Sequence, residues 1–263
     1  LKTSRWLWPL LAISSLAACL LLISGLIYGI STILYPAESN LQRVNVERDD
    51  QLNEDGVWTI LALGDSITKG TGDATSKGYA GQVRDAVDAW DDTEVRLINM
   101  AVNGYTTEQL HTQIEQQNGV IVSIQQADAI LLSIGVNDLY TPGEEVLPED
   151  VADSMTQALS RIEDIVQALT ELNTDVRILY TGLYHPLREI DPDGELAALL
   201  REWNYQVMQV ADAYPQVVFV PTYDLFGDNG TRYLSGDHYH PNEEGYKRIA
   251  ARIMQVLEED WHE

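Results

Sequence analysis

From residue 57 to the end of the chain, two hydrophobic rhythms alternate. Short unbroken apolar runs read as buried strands: 57–64 (VWTILALG), 94–102, 127–135, 175–183 and 216–225. Between them, apolar residues recur at the three-to-four spacing of amphipathic helices, over 79–90, 106–117, 148–172, 195–214 and 241–260. Pro148 and Pro241 stand where a helix opens, and Thr106 where one is capped. Five strands alternating with helices predict an α/β fold: a five-stranded parallel sheet covered by helices on both faces, in three layers. In such a sheet the working site lies beyond the carboxyl ends of the strands.

The first part of the chain has another pattern. No charged residue occurs from Trp6 to Ala37. As a helix, Leu10 to Tyr35 would rise about 39 Å, more than the roughly 30 Å hydrocarbon core of a bilayer. Lys2 and Arg5 precede this run and an acidic stretch follows it. The positive-inside rule then places those two cations in the cytoplasm and the following domain outside. Residues 1–36 are therefore expected to form the transmembrane signal anchor of a single-pass cell-membrane protein. Two other readings compete. LAAC at 16–19 resembles a bacterial lipobox, which would make Cys19 a lipidated residue, although the apolar run continues beyond it. Cleavage and secretion is the third. All three put the domain outside the cytoplasm. Residues 37–56 are polar, lack periodicity and read as a linker, leaving 57–263 as the domain.

Charge narrows the partners. The 263 residues carry a formal net charge of -25. Apart from Lys2 and Arg5, 14 basic residues face 41 acidic ones. Such a surface repels phosphate backbones, so nucleic acid is excluded as a partner, and the domain should not dock on anionic lipid. Its simplest role is solubility, and a monomer is expected. Cys19 is the only cysteine, so the domain needs no disulfide and no thiolate metal site.

The strand-end rule picks out the chemistry. The predicted strands end in Gly64-Asp65-Ser66, Asn103-Gly104, Gly135-Val136-Asn137-Asp138 and Tyr184-His185. Asp237-His238-Tyr239-His240 precedes the last helix. A serine hydroxyl becomes a nucleophile only beside a base whose tautomer an acid partner fixes. Ser66 can be that nucleophile, His240 the base and Asp237 its partner, folding back within a turn. His238 adjoins Asp237 directly and suits the role less. The Ser66 N–H, the Gly104 N–H and the Asn137 amide are candidate oxyanion donors. Each residue also has a plainer reading. Ser66, Asp237 and His240 are potential helix caps, and Asn137, Asp138 and Gly104 are turn formers. Their convergence on one rim favours the chemical reading.

These blocks resemble the SGNH/GDSL hydrolase superfamily. GDSIT at 64–68 is similar to its first block, Asn103-Gly104 to the second, GVND at 135–138 to the third and DHYH at 237–240 to the last. Four blocks in order span nearly the whole domain. The resemblance implies a flavodoxin-like sheet and a serine esterase or lipase, with Ser66, His240 and Asp237 as the triad. It also implies Ser66, Gly104 and Asn137 as the oxyanion hole, and no metal or organic cofactor. The expected substrate is a small-molecule, lipid or glycan ester. Acyl transfer to cell-wall or lipid acceptors and a non-catalytic binding role are the alternatives.

Substrate clues are fewer. Lys69 and Lys77 are two of the domain's three lysines and flank the loop after Ser66. They are candidates for contacting an anionic substrate, or are simply solvated. The segment 184–195, rich in Pro and charge, is expected to form a rim loop, with His185 structural or substrate-contacting.

Overall fold

The structure is a computed structural model that describes residues 12–15, 18–19, 21–22, 24–25, 57–90, 94–139, 148–186, 188, 191–227 and 230–261. The chain divides into two units, Leu1–Val46 and Glu47–Glu263. In the first unit the described residues are helical and exposed. Among the described residues no helix is long and apolar enough to cross a membrane. Most of the expected anchor, and the whole linker at 37–56, lie outside the described residues.

The second unit is built on five parallel strands: β1 (Val57–Gly64), β2 (Glu94–Asn99), β3 (Ala129–Ser133), β4 (Arg177–Thr181) and β5 (Val217–Val220). Their spatial order is β2-β1-β3-β4-β5. The order reverses between β1 and β3, so the switch point lies at the end of β1. The central strands pair on both sides and bury both faces, hence their unbroken apolar sequence. β2 is an edge strand and can expose Glu94.

Strand alternation divides the interior into two cores. Leu61, Leu63, Ile130 and Leu132 point to one, shared with helices α3 (Thr107–Gln116), α4 (Asn118–Gln126), α6 (Pro148–Leu172) and α7 (Glu195–Asp212). Ile60, Ala62 and Leu131 point to the other, shared with α2 (Gly78–Asp88) and α8 (Glu243–Trp261). The fold is thus the expected three-layer α/β arrangement. Two one-turn helices, α1 (Ser66–Lys69) and α5 (Val136–Leu139), follow β1 and β3.

Several boundaries differ from the sequence expectation. β2 stops at Asn99 rather than 102, because the chain then turns towards β1, with Val102 N–H donating to the Gly64 carbonyl at 3.0 Å. β5 stops at Val220, before Pro221, and a 3₁₀ turn follows at Tyr223–Phe226. α4 was not apparent from periodicity. α8 begins at Glu243, after Asn242, whose Oδ1 accepts the Gly245 N–H at 3.0 Å. Asn242, not Asp237 or His240, therefore supplies the side-chain cap.

Candidate active site

The turn after β1 is fixed by local sterics. Gly64 has φ +132°, and a Cβ there would lie 2.0 Å from the Ser133 carbonyl oxygen, so only glycine fits. Asp65 N–H donates to that same oxygen at 3.1 Å. Asp65 is the N-cap of α1, its Oδ1 accepting the Ile67 N–H at 2.9 Å. The cap therefore belongs to Asp65 and leaves the Ser66 hydroxyl available. Gly70 closes the turn in a left-handed conformation.

His240 meets this serine. Its Nε2 lies 2.9 Å from Ser66 Oγ, and its Nδ1 lies 2.6 Å from Asp237 Oδ2. Asp237 Oδ1 accepts three further hydrogen bonds, from Ser235 Oγ at 2.7 Å and from the N–H groups of Tyr239 and His240 at 2.9 Å. Burial alone would raise the Asp237 pKa. The hydrogen bonds from His240, Ser235 and the two backbone N–H groups outweigh it and hold the carboxyl well below its usual range. Asp237 is thus an ionised acceptor. Nδ1 must carry the hydrogen, which leaves the Nε2 lone pair facing Ser66. His238, between the two, is exposed and left-handed at φ +57°.

A chain of hydrogen bonds links the other rim residues. Thr71 N–H donates to the Ser66 carbonyl at 3.0 Å, and its hydroxyl donates to Asn103 Oδ1 at 2.9 Å. Asn137 Nδ2 donates to the Tyr105 carbonyl at 2.8 Å. Gly104 lies between Asn103 and Tyr105, at φ +77°, with open space where a Cβ would stand. Asp138 is more than a turn former. It accepts the Thr107 N–H at 2.9 Å and the Thr107 hydroxyl at 2.6 Å, tying α5 to the start of α3. Burial is the main cause raising its pKa.

Asp65 is fully buried, and its Oδ2 has no hydrogen-bond partner. Burial, reinforced by the charge of Asp138, pushes its pKa up to about 7 against the pull of the Ile67 N–H.

The weaker candidates separate. Lys77 Nζ is paired with Asp85 at 2.7 Å, so its charge is already matched. Lys69 is exposed and forms no ion pair among the described residues. His185 is buried and bonds through Nε2 to Asp191 Oδ2 at 2.9 Å, not to a residue of the Ser66–His240–Asp237 relay.

Sequence reasoning missed several supporting groups. Asn99 Nδ2 donates to the Thr68 carbonyl at 2.9 Å, joining the end of β2 to α1. Tyr184 hydroxyl donates to the Tyr239 carbonyl at 2.7 Å. Ser235, two residues before Asp237, had a detectable signal in its spacing; Tyr184 stood at a strand end without a visible partner, and Asn99 had no signal. Among the described residues no group of three or more His, Cys, Asp or Glu side chains is arranged to hold a metal ion.

The family model of GDSL-like lipases and acylhydrolases matches residues 62–248, from inside β1 into α8. The chain belongs to this family. The uncharacterized protein YpmR of Bacillus subtilis (strain 168) is 28% identical to this GDSL-family chain over 211 residues, covering 76% of it and 82% of YpmR. The lipase Lip_vut3 from a goat rumen metagenome has the same fold, with TM-score 0.67 and 22% identity over 75% of this chain and 96% of that one. Axe2, an acetylxylan esterase from Geobacillus stearothermophilus, superposes with TM-score 0.59 at 19% identity, over 75% of this chain and 93% of its own. The family 3 carbohydrate esterase of Clostridium thermocellum does so with TM-score 0.56 at 18% identity, over 76% and 94%. Membership of the GDSL family makes the domain a hydrolase of the esterase kind.

Proposed function

We propose that the domain hydrolyses carboxylic esters through a Ser66–His240–Asp237 triad and an acyl-enzyme. The observation that carries this reading is the relay from Asp237 through both ring nitrogens of His240 to Ser66 Oγ. His240 Nε2 takes the Ser66 proton as Oγ attacks the ester carbonyl. Asp237 stabilises the imidazolium that forms. The Ser66 N–H, the Gly104 N–H and the Asn137 amide receive the developing oxyanion. His240 then gives its proton to the leaving alcohol. In the second half it deprotonates a water, which releases the acid and restores Ser66.

Esters of small acyl groups, including acetylated glycans, are the substrates to test first, with lysophospholipids as the contrast. Labelling by a fluorophosphonate probe and hydrolysis of p-nitrophenyl acetate, each measured with and without Ser66→Ala, test the reading. Equal labelling and equal rates in the two proteins would overturn it. Lys69 remains a candidate contact for an anionic ester, and Lys69→Glu should then raise KM for such an ester more than for a neutral one.

We also infer that the domain works outside the cytoplasm, tethered by residues 1–36. The support is the position of Lys2 and Arg5 before the long uncharged run. Protease access to the domain on intact cells tests the placement. Fatty-acid labelling that is lost in Cys19→Ala would favour the lipoprotein form.

A further inference from the structure

The residues after α1, Gly70-Thr71-Gly72-Asp73-Ala74-Thr75-Ser76-Lys77-Gly78, have the composition of a loose surface loop. The fold ties them down. The two ends of the loop meet: a Cβ on Gly78 would lie 2.5 Å from Gly70 Cα, an approach that only glycine allows. Asp73 stands inside the loop and is 7% exposed. Its Oδ1 accepts the Thr75 N–H and the Thr75 hydroxyl, both at 2.8 Å, and its Oδ2 accepts the Gly78 N–H at 2.9 Å. Its own N–H donates to the Gly70 carbonyl at 3.2 Å. Burial opposes the charge on Asp73, but the hydrogen bonds from Thr75, Gly78 and the Lys77 backbone hold its pKa below the ordinary value. Asp73 is thus an ionised hub around which residues 70–78 are wound.

The loop is also fastened from outside. Tyr246, fully buried on α8, donates its hydroxyl to the Thr71 carbonyl at 2.7 Å. Thr71 in turn holds the Ser66 carbonyl through its N–H and Asn103, beside Gly104, through its hydroxyl. Gly72 then packs against the segment that carries the base. A Cβ at Gly72 would stand 2.6 Å from the Pro241 carbonyl oxygen, 2.9 Å from His240 Cβ and 3.0 Å from Ser235 Oγ. Those atoms belong to the residue after the base, to the base itself and to the serine that donates to Asp237.

This contact matters because the turn from Asp237 to His240 is on the surface. The Asp237 side chain is 46% exposed, so the turn has little core behind it. Tyr184 holds the turn at the Tyr239 carbonyl, and the Gly72 backbone packs on it at His240. Any looseness in residues 70–78 becomes looseness of the imidazole over Ser66.

We propose that Asp73 is a positioning residue of the esterase: by winding residues 70–78 into a fixed loop, it presses the Gly72 backbone against His240 and keeps the imidazole in line with Ser66. The proposal rests on the esterase reading. Asp73 acts through Gly72 and not on the reacting atoms.

Two variants of the full chain disturb the contact from its two ends. Asp73→Asn can still accept from Thr75 but turns an amide NH2 towards the Gly78 N–H. Gly72→Ala puts a methyl group against His240. Fluorophosphonate labelling taken to completion counts the folded sites. Per labelled site, each variant should hydrolyse p-nitrophenyl acetate about 10- to 100-fold more slowly, with KM within about twofold of wild type. The Nδ1 proton that His240 shares with Asp237 should shift or broaden in both variants, since its low-field NMR resonance reports that hydrogen bond. A purely structural role for the loop predicts fewer labelled sites and a lower Tm, with wild-type kcat per site and an unmoved resonance; that result overturns the proposal. So does a raised KM at unchanged kcat, which would make the loop a wall for substrate. Thr75→Val removes only one hydroxyl from Asp73 at an exposed position. It should show the same effects in smaller measure, and it decides the matter if the other two variants do not fold. If wild-type protein hydrolyses no ester, the esterase reading fails, while the resonance still decides whether the loop positions His240.

Discussion

Ser66 Oγ and His240 Nε2 lie 2.9 Å apart although 174 positions separate them in the chain. The contact depends on the Gly64–Asp65 turn at one end and on the Asp237 carboxylate at the other. Removing either partner should remove the chemistry without removing the fold. Ser66→Ala and His240→Ala are each expected to lower kcat for p-nitrophenyl acetate by about 10⁴-fold or more, with unchanged circular dichroism. Rates near wild type in both would refute the relay.

Asp237→Asn keeps the size of the side chain but offers its Nδ1 neighbour an amide in place of a carboxylate. It should reduce kcat by about 10³–10⁴-fold while KM changes little. Because hydrogen bonds depress the pKa of Asp237, its stabilising contribution is present above the unfolded value of a carboxyl and lost as pH falls below it. Protonation of Asp237 should therefore not limit kcat until the pH lies well below the ordinary carboxyl range. A pH–rate profile of kcat checks this.

The oxyanion assignment separates from the relay. Asn137→Ala leaves Ser66 and His240 in place and should cost about 10²–10³ in kcat. Gly104→Ala should cost activity as well, since alanine is strained at φ +77° and its methyl enters the open space beside Gly104. A transition-state analogue such as a boronic acid should bind both variants more weakly, whereas a purely structural role would leave its affinity unchanged.

His238 stores backbone strain at the turn that joins Asp237 to His240. A β-branched residue tolerates φ +57° poorly, so His238→Val should lose about 1–2 kcal/mol of stability and several-fold in kcat/KM. His238→Gly relieves the strain and should keep both. If His238→Gly were as inactive as His240→Ala, the imidazole at 238 would have a chemical part that the geometry does not give it.

Asp65 makes stability fall with rising pH. Its folded pKa of about 7 exceeds the carboxyl's ordinary 3.8, so the folded protein binds more protons than the unfolded chain between those values. Stability should be greatest below about pH 4, as far as this group is concerned, and decline towards pH 7. The effect reaches at most about 4 kcal/mol. Asp65→Asn retains an oxygen for the Ile67 N–H and removes the titration. Chemical denaturation from pH 5 to 8 should show a smaller decline in the variant than in wild type.

The alternation of apolar runs with helical spacing determined the five strands, the parallel sheet and the rim on which function would fall. Those signals are local, because burial on one or both faces is written into adjacent residues. The meeting of Ser66, Asp237 and His240 was legible for the same reason: each sits at the end of a readable element, and Asp237 and His240 lie within one turn. Helix α4 was not legible. Its sequence, NGVIVSIQQ, is β-branched and short, and it is helical because Val120 and Ile124 bury against the core that α6 shares. Lys77 looked like a free cation until Asp85 was beside it. Asp138 reaches Thr107 across 31 positions. Asp65, rather than Ser66, caps α1, and His185 is turned by Asp191 so that only one ring nitrogen is spoken for. Such choices belong to the tertiary structure. A polar side chain's partner is set by which segments the fold brings within about 3 Å, a distance that no pattern along the chain encodes.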